Sequence, residues 1–536
     1  MTLIAVRRVD ADVAIIGSGF AGTMLALVLR QRGMRVALLD RDRHPRFAIG
    51  ESSTPLAGLL IEELADRYDL PRLRPFSKWG TWQATYPRVA CGLKRGFSFF
   101  QHTPGQSFTD DESHARQLLV AASPNDAIAD THWYRPHVDQ WLVHEAEAAG
   151  VCYLDATTLD TPTFDQGHPV VEGIRDGTRV RIAAKFLVDA SGPRGFLWRC
   201  LHLGDAAPEG LPSTQALYSH FEGVERWDQL NQADAPPPYP VDDAAVHHVL
   251  PGAWMWVLRF NNGLTSAGVA ATDRIAHRYR LHEGAQAWTR LLADYPSVRA
   301  QFAEARPTRP FVHAPRVAHR TAVVTGRDWA LLPSAAGVVD PLLSTGMPLT
   351  LLGIGRLARL LEETTPGPVR EVALAQYAHD TTEELRVTEG LVAALYATME
   401  DFPLFKRLTA LYFAAASYAE TVRRLGQPER ARGFLLQADP IFGPHLRDIT
   451  RRVGLRGDGD ARKALLDDIA RAVEPFDVAG LGDTGRRDWY PVLAADLHAA
   501  RERLGVSPEA IEALLARCGL ADAGTLAPAW AGQAGR

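Results

Sequence analysis

Lys94 sits in the stretch ACGLKRGFSFF, residues 90–100, flanked by Gly92 and Gly96. Read as extended chain, side chains alternate between two faces, so Lys94 shares its face with both glycines, Ser98 and Phe100. Leu93, Arg95, Phe97 and Phe99 take the other face, where Arg95 reads as a structural or solvent contact. A lysine that no neighbour crowds has two readings. It is a solvated strand residue, or an amine held in an open slot for chemistry. Partial burial would lower its pKa and favour the neutral, nucleophilic form.

A second set of residues points to a nucleotide. GSGFAG places Gly17, Gly19 and Gly22 in GxGxxG spacing, and Asp40 follows 18 residues after Gly22. Such glycines permit a tight turn and let backbone N–H groups approach a pyrophosphate at a helix N-terminus, while the acidic residue accepts from ribose hydroxyls. VDASGP and GVVDP add Asp189 and Asp340, each an acidic residue at a strand end before a turn. These two segments favour FAD over a nicotinamide, with Asp340 placed for ribityl hydroxyls. In STGMPLT, Ser344 or Thr345 can cap a helix and Pro348 fits its first turn. The free N–H groups and positive dipole end of that helix would face the flavin ring and a small anion beside it. There is no second GxGxxG, so no separate nicotinamide-binding domain is indicated.

These residues need elements to position them. DVAII, FAGTMLALVLRQRG and RVALLD read as strand, helix ending at glycine, and strand, a βαβ unit. KFLVDAS is another buried strand, DAPPPYPVDD a proline-rich connection, and GAWMWVLRF a strand with Trp254 and Trp256 on one face. Beyond about residue 380 the pattern turns helical and alanine-rich, with a break at GLRGDGD. The expected fold is α/β: a Rossmann-like FAD-binding domain with an inserted β-rich substrate module across 1–380, and a mainly helical region across 381–536.

With 536 residues, 46% hydrophobic and 23% charged, the chain has room for a large core. A net charge of -5 argues against nucleic acid or an anionic membrane. No run of 18 apolar residues predicts a membrane span, and MTLIAVRRVD lacks a signal-peptide core, so a cytoplasmic location is expected. Cys91, Cys152, Cys200 and Cys518 lie far apart without a CxxC, and His247 and His248 have no partner spacing. No metal site is expected.

PRFAIGESSTP, ACGLKRGFSF, GAWMWVLRFNN and GVVDPLLSTG, in this order, resemble the flavin-dependent halogenases. The phenol and pyrrole branch, which includes the chlortetracycline and pyrrolnitrin types, matches over about residues 10–365. The resemblance implies that FADH2 from a separate flavin reductase, together with O2, oxidises chloride or bromide to hypohalous acid. That species reaches a lysine, here Lys94, which delivers it to an aromatic substrate, free or carrier-bound. Thr345 and Gly346 match the place where the family binds halide through backbone N–H groups. Trp254 and Trp256 match the W-x-W-x-I-P element that lines the path beside the flavin, with Arg259 standing where the family has proline. Glu51 and Ser52 resemble the flap at the flavin, and Arg46 and Arg135 match basic cofactor contacts. Leu343 stands where tryptophan halogenases have a glutamate base, which suits an activated phenol better than an indole. Tyr396, Phe402, Phe405, Tyr412, Phe413 and Tyr418 either roof a flat substrate or pack as helix core. Two other outcomes stay open: a monooxygenase or geranylgeranyl-reductase-like enzyme of the same fold, and a non-catalytic flavin-binding scaffold.

Overall fold

The computed structural model describes residues 6–165, 168–207, 210–233, 235–453 and 459–520. Strand β1 (Val6–Ile16), helix α1 (Phe20–Gln31) and strand β2 (Val36–Leu39) open the chain. β1 and β2 pair in parallel with Val13 opposite Val36, so the helix is the crossover that a parallel pair requires. The turn between β1 and α1 depends on two glycines. Gly17 has φ +104°, and a Cβ there would lie 2.5 Å from the carbonyl oxygen of Ala190. A Cβ on Gly22 would lie 2.0 Å from the carbonyl oxygen of Gly17. Without side chains at these positions, α1 starts directly on the sheet with its N-terminus free.

Helix α2 (Pro55–Arg67) is capped by Thr54, whose hydroxyl accepts from Ala57 N–H, with Pro55 in the first turn. Four short strands follow: β3 (Cys91–Lys94), β4 (Gly96–Gln101), β5 (Gln117–Ala121) and β6 (Asp130–Trp133). Helix α3 (Arg135–Ala148) leads to β7 (Cys152–Leu154), β8 (His168–Arg175) and β9 (Thr178–Asp189). These return to the first sheet, ordered β7-β2-β1-β9-β8. A second sheet takes β10 (Thr214–Glu222), β11 (Ala245–Leu250), β12 (Ala253–Arg259) and β13 (Thr265–Thr272) in the order β10-β13-β12-β11-β4-β5. Strand β14 (Trp329–Leu331) rejoins the first sheet beside β9.

The stretch ACGLKRGFSFF is therefore not one strand. β3 pairs with β6 in its own two-stranded ladder, whereas β4 lies between β5 and β11 in the second sheet. Arg95 makes the break: its N–H donates to Asp243 O and its guanidinium to Ser123 O and Pro124 O. Alternation does not carry through such a break, and Lys94 Nζ comes to lie 3.8 Å from the Phe97 ring centroid. The flanking glycines do not open a slot for the amine. A Cβ on Gly92 would stand 1.9 Å from Arg259 O, and one on Gly96 2.3 Å from Val120 O. They let neighbouring backbones approach, and Lys94 itself is completely buried.

Arg259 ends β12. Its guanidinium donates to Asp242 Oδ1 at 3.0 Å and to Val224 O at 2.9 Å. Asp242 has no exposed side-chain surface, so Arg259→Met removes the cation beside a buried carboxylate and leaves it the Asp228 N–H at 2.9 Å. Breaking a fully buried pair costs about 3–5 kcal/mol. Arg259 is a fifth exposed, so a loss of about 2–3 kcal/mol is expected in denaturant titration.

Helix α4 (Gly346–Glu363) packs on α1 and α2, α5 (Pro368–Thr398) packs on α4 and α6, and α6 (Phe402–Arg424) reaches the second sheet. Phe405 meets Phe99 edge-on at 5.9 Å and Phe413 meets Phe97 at 5.2 Å, so the aromatic set of α6 packs against β4. Strand β15 (Trp489–Tyr490), late in the chain, adds to the edge of the same sheet beside β5. Most of GLRGDGD, residues 454–458, lies outside the described residues. Among the described residues no helix is long and apolar enough to cross a membrane.

Candidate active site

The glycine turn, the end of β2 and the segment after it converge at the C-terminal edge of the first sheet. Asp40 Oδ2 accepts from Ser18 N–H at 2.7 Å and Ser18 Oγ at 2.8 Å, and Arg46 pairs with it at 3.0 Å. Burial works against the charge of Asp40, but Arg46 and the N–H groups of Asp42 and Ser18 outweigh it and hold the carboxyl below its ordinary range. Arg135 is buried, pairs with Asp139 at 2.8 Å, and donates to Ile49 O and Gly50 O. A Cβ placed on Gly19 would find guanidinium nitrogens of Arg135 at 3.5 Å and Arg46 at 3.8 Å. Arg46 Nε is buried without a partner, and the N-cap Gly19 leaves the start of α1 without a side-chain cap. Two cations, an orphaned donor and an open helix terminus fit the pyrophosphate of a dinucleotide.

Two acidic residues read as cofactor contacts turn inward. Asp189 accepts from Ser191 N–H and Oγ and from Leu197 N–H, so its carboxylate is engaged within its own turn. Asp340 accepts from Trp254 Nε1 at 3.1 Å, Tyr396 Oη at 2.9 Å and Leu342 N–H at 3.0 Å. Complete burial pushes the Asp340 carboxyl up to about 7, against those three donors. The folded protein then keeps a proton that the unfolded chain releases near pH ~4, so stability falls as pH rises from about 4 to about 7. Asp340→Asn is expected to flatten that fall in urea titrations of the FAD-free protein.

The GESSTP flap lies along β6. Ser53 N–H donates to Thr131 O, and Trp133 N–H donates to Glu51 O. Glu51 is buried and accepts from His220 Nε2 at 2.8 Å, so it makes no surface salt bridge. This pairing aims Ser52 and Ser53 at the lysine. Lys94 Nζ donates to Ser53 O at 2.5 Å, Ser52 Oγ at 3.0 Å and Ser344 Oγ at 3.5 Å. Burial drives the pKa of Lys94 down, with Asp130 opposing. Two histidines beside it, His132 and His247, are held neutral by the same burial, His247 down to about 3.

Ser344 takes a left-handed φ of +55° just before α4. Neither Ser344 nor Thr345 caps that helix. Thr345, the N-cap, is helical in backbone and makes no side-chain capping bond, because Ser344 is drawn to Lys94 instead. Gly346 is exposed, and a Cβ there would meet nothing within 4 Å. Space is open over Gly346 at the first turn of α4, with the positive end of an 18-residue helix behind it.

A cavity of about 190 Å³ is walled by Phe97, Asp130, Tyr412, Phe413, Ser417 and Tyr490, among others; Lys94 does not line it but lies behind the wall residues Phe97 and Asp130. An engineered apolar cavity of ~150 Å³ holds benzene, so this one has the size of a single aromatic ring. Trp254 and Trp256 are buried on one side of β12. Trp256 Nε1 donates to Ser266 Oγ, and its ring fills the gap over Gly268. Neither tryptophan lines the cavity. The sequence offered no signal for Asp130, Ser53 or His220, whose roles arise from strand pairing. His248 contacts His102 and Gln301, and no metal-holding cluster occurs among the described residues.

Comparison with known proteins adds to this geometry. Residues 12–338 match the FAD dependent oxidoreductase family. The chain is 30% identical over 422 residues to tetracycline 7-halogenase of Kitasatospora aureofaciens, covering 76% of this chain and 73% of that one. It is 29% identical over 415 residues to monodechloroaminopyrrolnitrin halogenase PrnC of Pseudomonas fluorescens, covering 75% and 70%. Its fold resembles the crystal structure of halogenase PltM in complex with phloroglucinol and FAD, with TM-score 0.76 and 24% identity over 89% of this chain and 99% of that one.

Proposed function

The chain belongs to the flavin-dependent halogenases, and from that premise we propose that it halogenates a single-ring phenol through Lys94, using FADH2 delivered by a separate reductase. The observation that carries this reading is the position of one buried amine. Lys94 bonds to Ser344, which leads into the open N-terminus of α4, and its Nζ lies over Phe97, whose ring walls the cavity.

Bound FAD supplies, with O2, the oxidation of halide to hypohalous acid. The chain's own residues do the rest. The glycine turn, Arg46 and Arg135 hold the pyrophosphate. The N–H groups of Thr345 and Gly346 hold chloride or bromide at the positive helix end. Lys94 receives the oxidised halogen, by hydrogen bond or as a haloamine, and its low pKa supplies the neutral amine that the second route needs. The closed wall of Ser52, Ser53, His132 and His247 excludes water and admits no second cation. The ring-sized cavity positions the substrate, and Leu343 supplies no carboxylate base at the loop. A phenol suits this arrangement because its own oxygen stabilises the cationic ring intermediate.

The test is mass spectrometry of the enzyme with FAD, a flavin reductase, NADH and bromide, offered a panel of monocyclic phenols. Brominated phenol is the expected product. Hydroxylated phenol would move the assignment to a monooxygenase reaction, and flavin turnover without trappable hypobromite would leave a flavin-binding scaffold.

A further inference from the structure

Asp130 opens β6 directly across the ladder from Lys94 and forms part of the cavity wall. Its Oδ2 is buried and has no hydrogen-bond partner. Buried carboxylate oxygens are almost always satisfied, because leaving one bare forfeits its hydration without return. The cations around it are engaged elsewhere. Lys94 bonds to Ser52 and Ser53. Arg424 on α6 pairs with Glu420 at 2.7 Å and Glu62 at 3.2 Å, and Lys78 lies 3.7 Å from Glu62. Tyr412 on α6, Tyr490 on β15, Asp496, which pairs with Arg486 at 2.6 Å, and Cys518 near the end of the described chain complete the titratable groups of this wall. Asp130 therefore lines a ring-sized space and carries a buried carboxylate oxygen with nothing to accept from.

We propose that Asp130 accepts the hydroxyl proton of the phenolic substrate and holds that hydroxyl at the cavity wall while the ring meets the halogen at Lys94. The inference rests on the phenol reading above and deepens it. The O–H proton passes to the carboxylate, and the oxygen's electron pair is released into the ring. The ring carbon bonds to halogen as the halogen–oxygen or halogen–nitrogen bond breaks, its electron pair leaving with that heteroatom. The ring C–H proton then passes to the hydroxide or amide that the halogen left, and Asp130 returns its proton to the phenolate oxygen. The sum is phenol plus hypohalous acid giving halophenol plus water.

The charge environment agrees. Burial holds the Asp130 carboxyl above its ordinary range, with Lys94 opposing and Glu420 adding to the rise, while Arg424 and Lys78 lower it. A carboxyl with a raised pKa is the stronger base once ionised. Proton acceptance requires the ionised form, so phenol halogenation climbs as pH rises through that raised value rather than near pH ~4.

The experiment compares wild type and Asp130→Asn, both loaded with FAD and run with reductase, NADH and bromide, on resorcinol and on 1,3-dimethoxybenzene. The second compound is electron-rich but carries no O–H. The expected result is a fall in kcat/KM for resorcinol on the order of 10²-fold, with a much smaller fall for the dimethyl ether and loss of the rising pH limb. Equal falls on both compounds, or no fall on resorcinol, would overturn the role of Asp130. Calorimetric titration of resorcinol into both holoenzymes is independent of turnover, and binding weaker by about tenfold or more in the variant is expected. If wild type brominates neither compound but resorcinol binding still depends on Asp130, the acceptor role stands and the phenol-halogenase reading falls. If wild type and variant brominate resorcinol alike and bind it alike, the phenol-halogenase reading stands and the acceptor role falls.

Discussion

Lys94→Ala is expected to abolish ring bromination, with a loss on the order of 10³-fold, while NADH consumption and release of trappable hypobromite continue. The size follows from removing a positioned donor in a water-excluded site. The amine is held by three oxygens, those of Ser52, Ser53 and Ser344, and Phe97 lies beneath it, so it has one orientation and no competing solvent. Lys94→Arg is not expected to rescue, because a guanidinium stays charged and does not form the neutral nucleophile. Mass spectrometry of product, with a hypohalite trap run in parallel, separates the halogen-transfer step from its supply. Undiminished bromophenol would reduce Lys94 to a structural residue. A stability signature accompanies the change. Because the folded state depresses this pKa, the unfolded chain binds more protons between the lowered value and ~10.4, and stability rises with pH across that window. Lys94→Met removes that rise, which pH-dependent urea titrations can read.

Gly22→Ala is expected to strip the protein of FAD. The added methyl would sit 2.0 Å from Gly17 O and 3.1 Å from the Ala190 side chain, and neither neighbour can move freely. Gly17 is pinned by its positive φ and by its own N–H bond to Leu39 O, and Ala190 by its N–H bond to Ile16 O. The helix must therefore shift off the sheet, carrying away the N–H groups proposed to hold the pyrophosphate. Overpacking of this kind costs about 1–3 kcal/mol in stability, and at least about 10²-fold weaker FAD retention is expected. Gly33→Ala is the comparison, since a Cβ there meets nothing within 4 Å. Its left-handed φ alone costs about 1 kcal/mol, and the variant keeps its flavin. FAD absorbance after gel filtration reads both. A Gly22→Ala protein that emerges fully yellow would show that the turn tolerates the methyl.

The parts legible in the sequence were those whose physics is local. GSGFAG after DVAII had to be a tight turn between strand and helix, because spacing and glycine chemistry are contained within about twenty residues. The strand containing Trp254 and Trp256 and the helix following STG were equally local. Position against distant chain was not. The sequence set Lys94 between two glycines, and only the pairing of β3 with β6 and of β4 with β11 showed that those glycines admit backbone while the amine is buried. The capping of α4 went the same way, since Ser344 bonds to a lysine 250 residues earlier in place of its own helix. Arg259 departs from the family pattern in the sequence itself, but only the fold supplies its partner, Asp242. Asp130 carried no signal at all. A lone aspartate before a short strand becomes a candidate proton acceptor only when the fold buries it against a cavity and gives every nearby cation another partner.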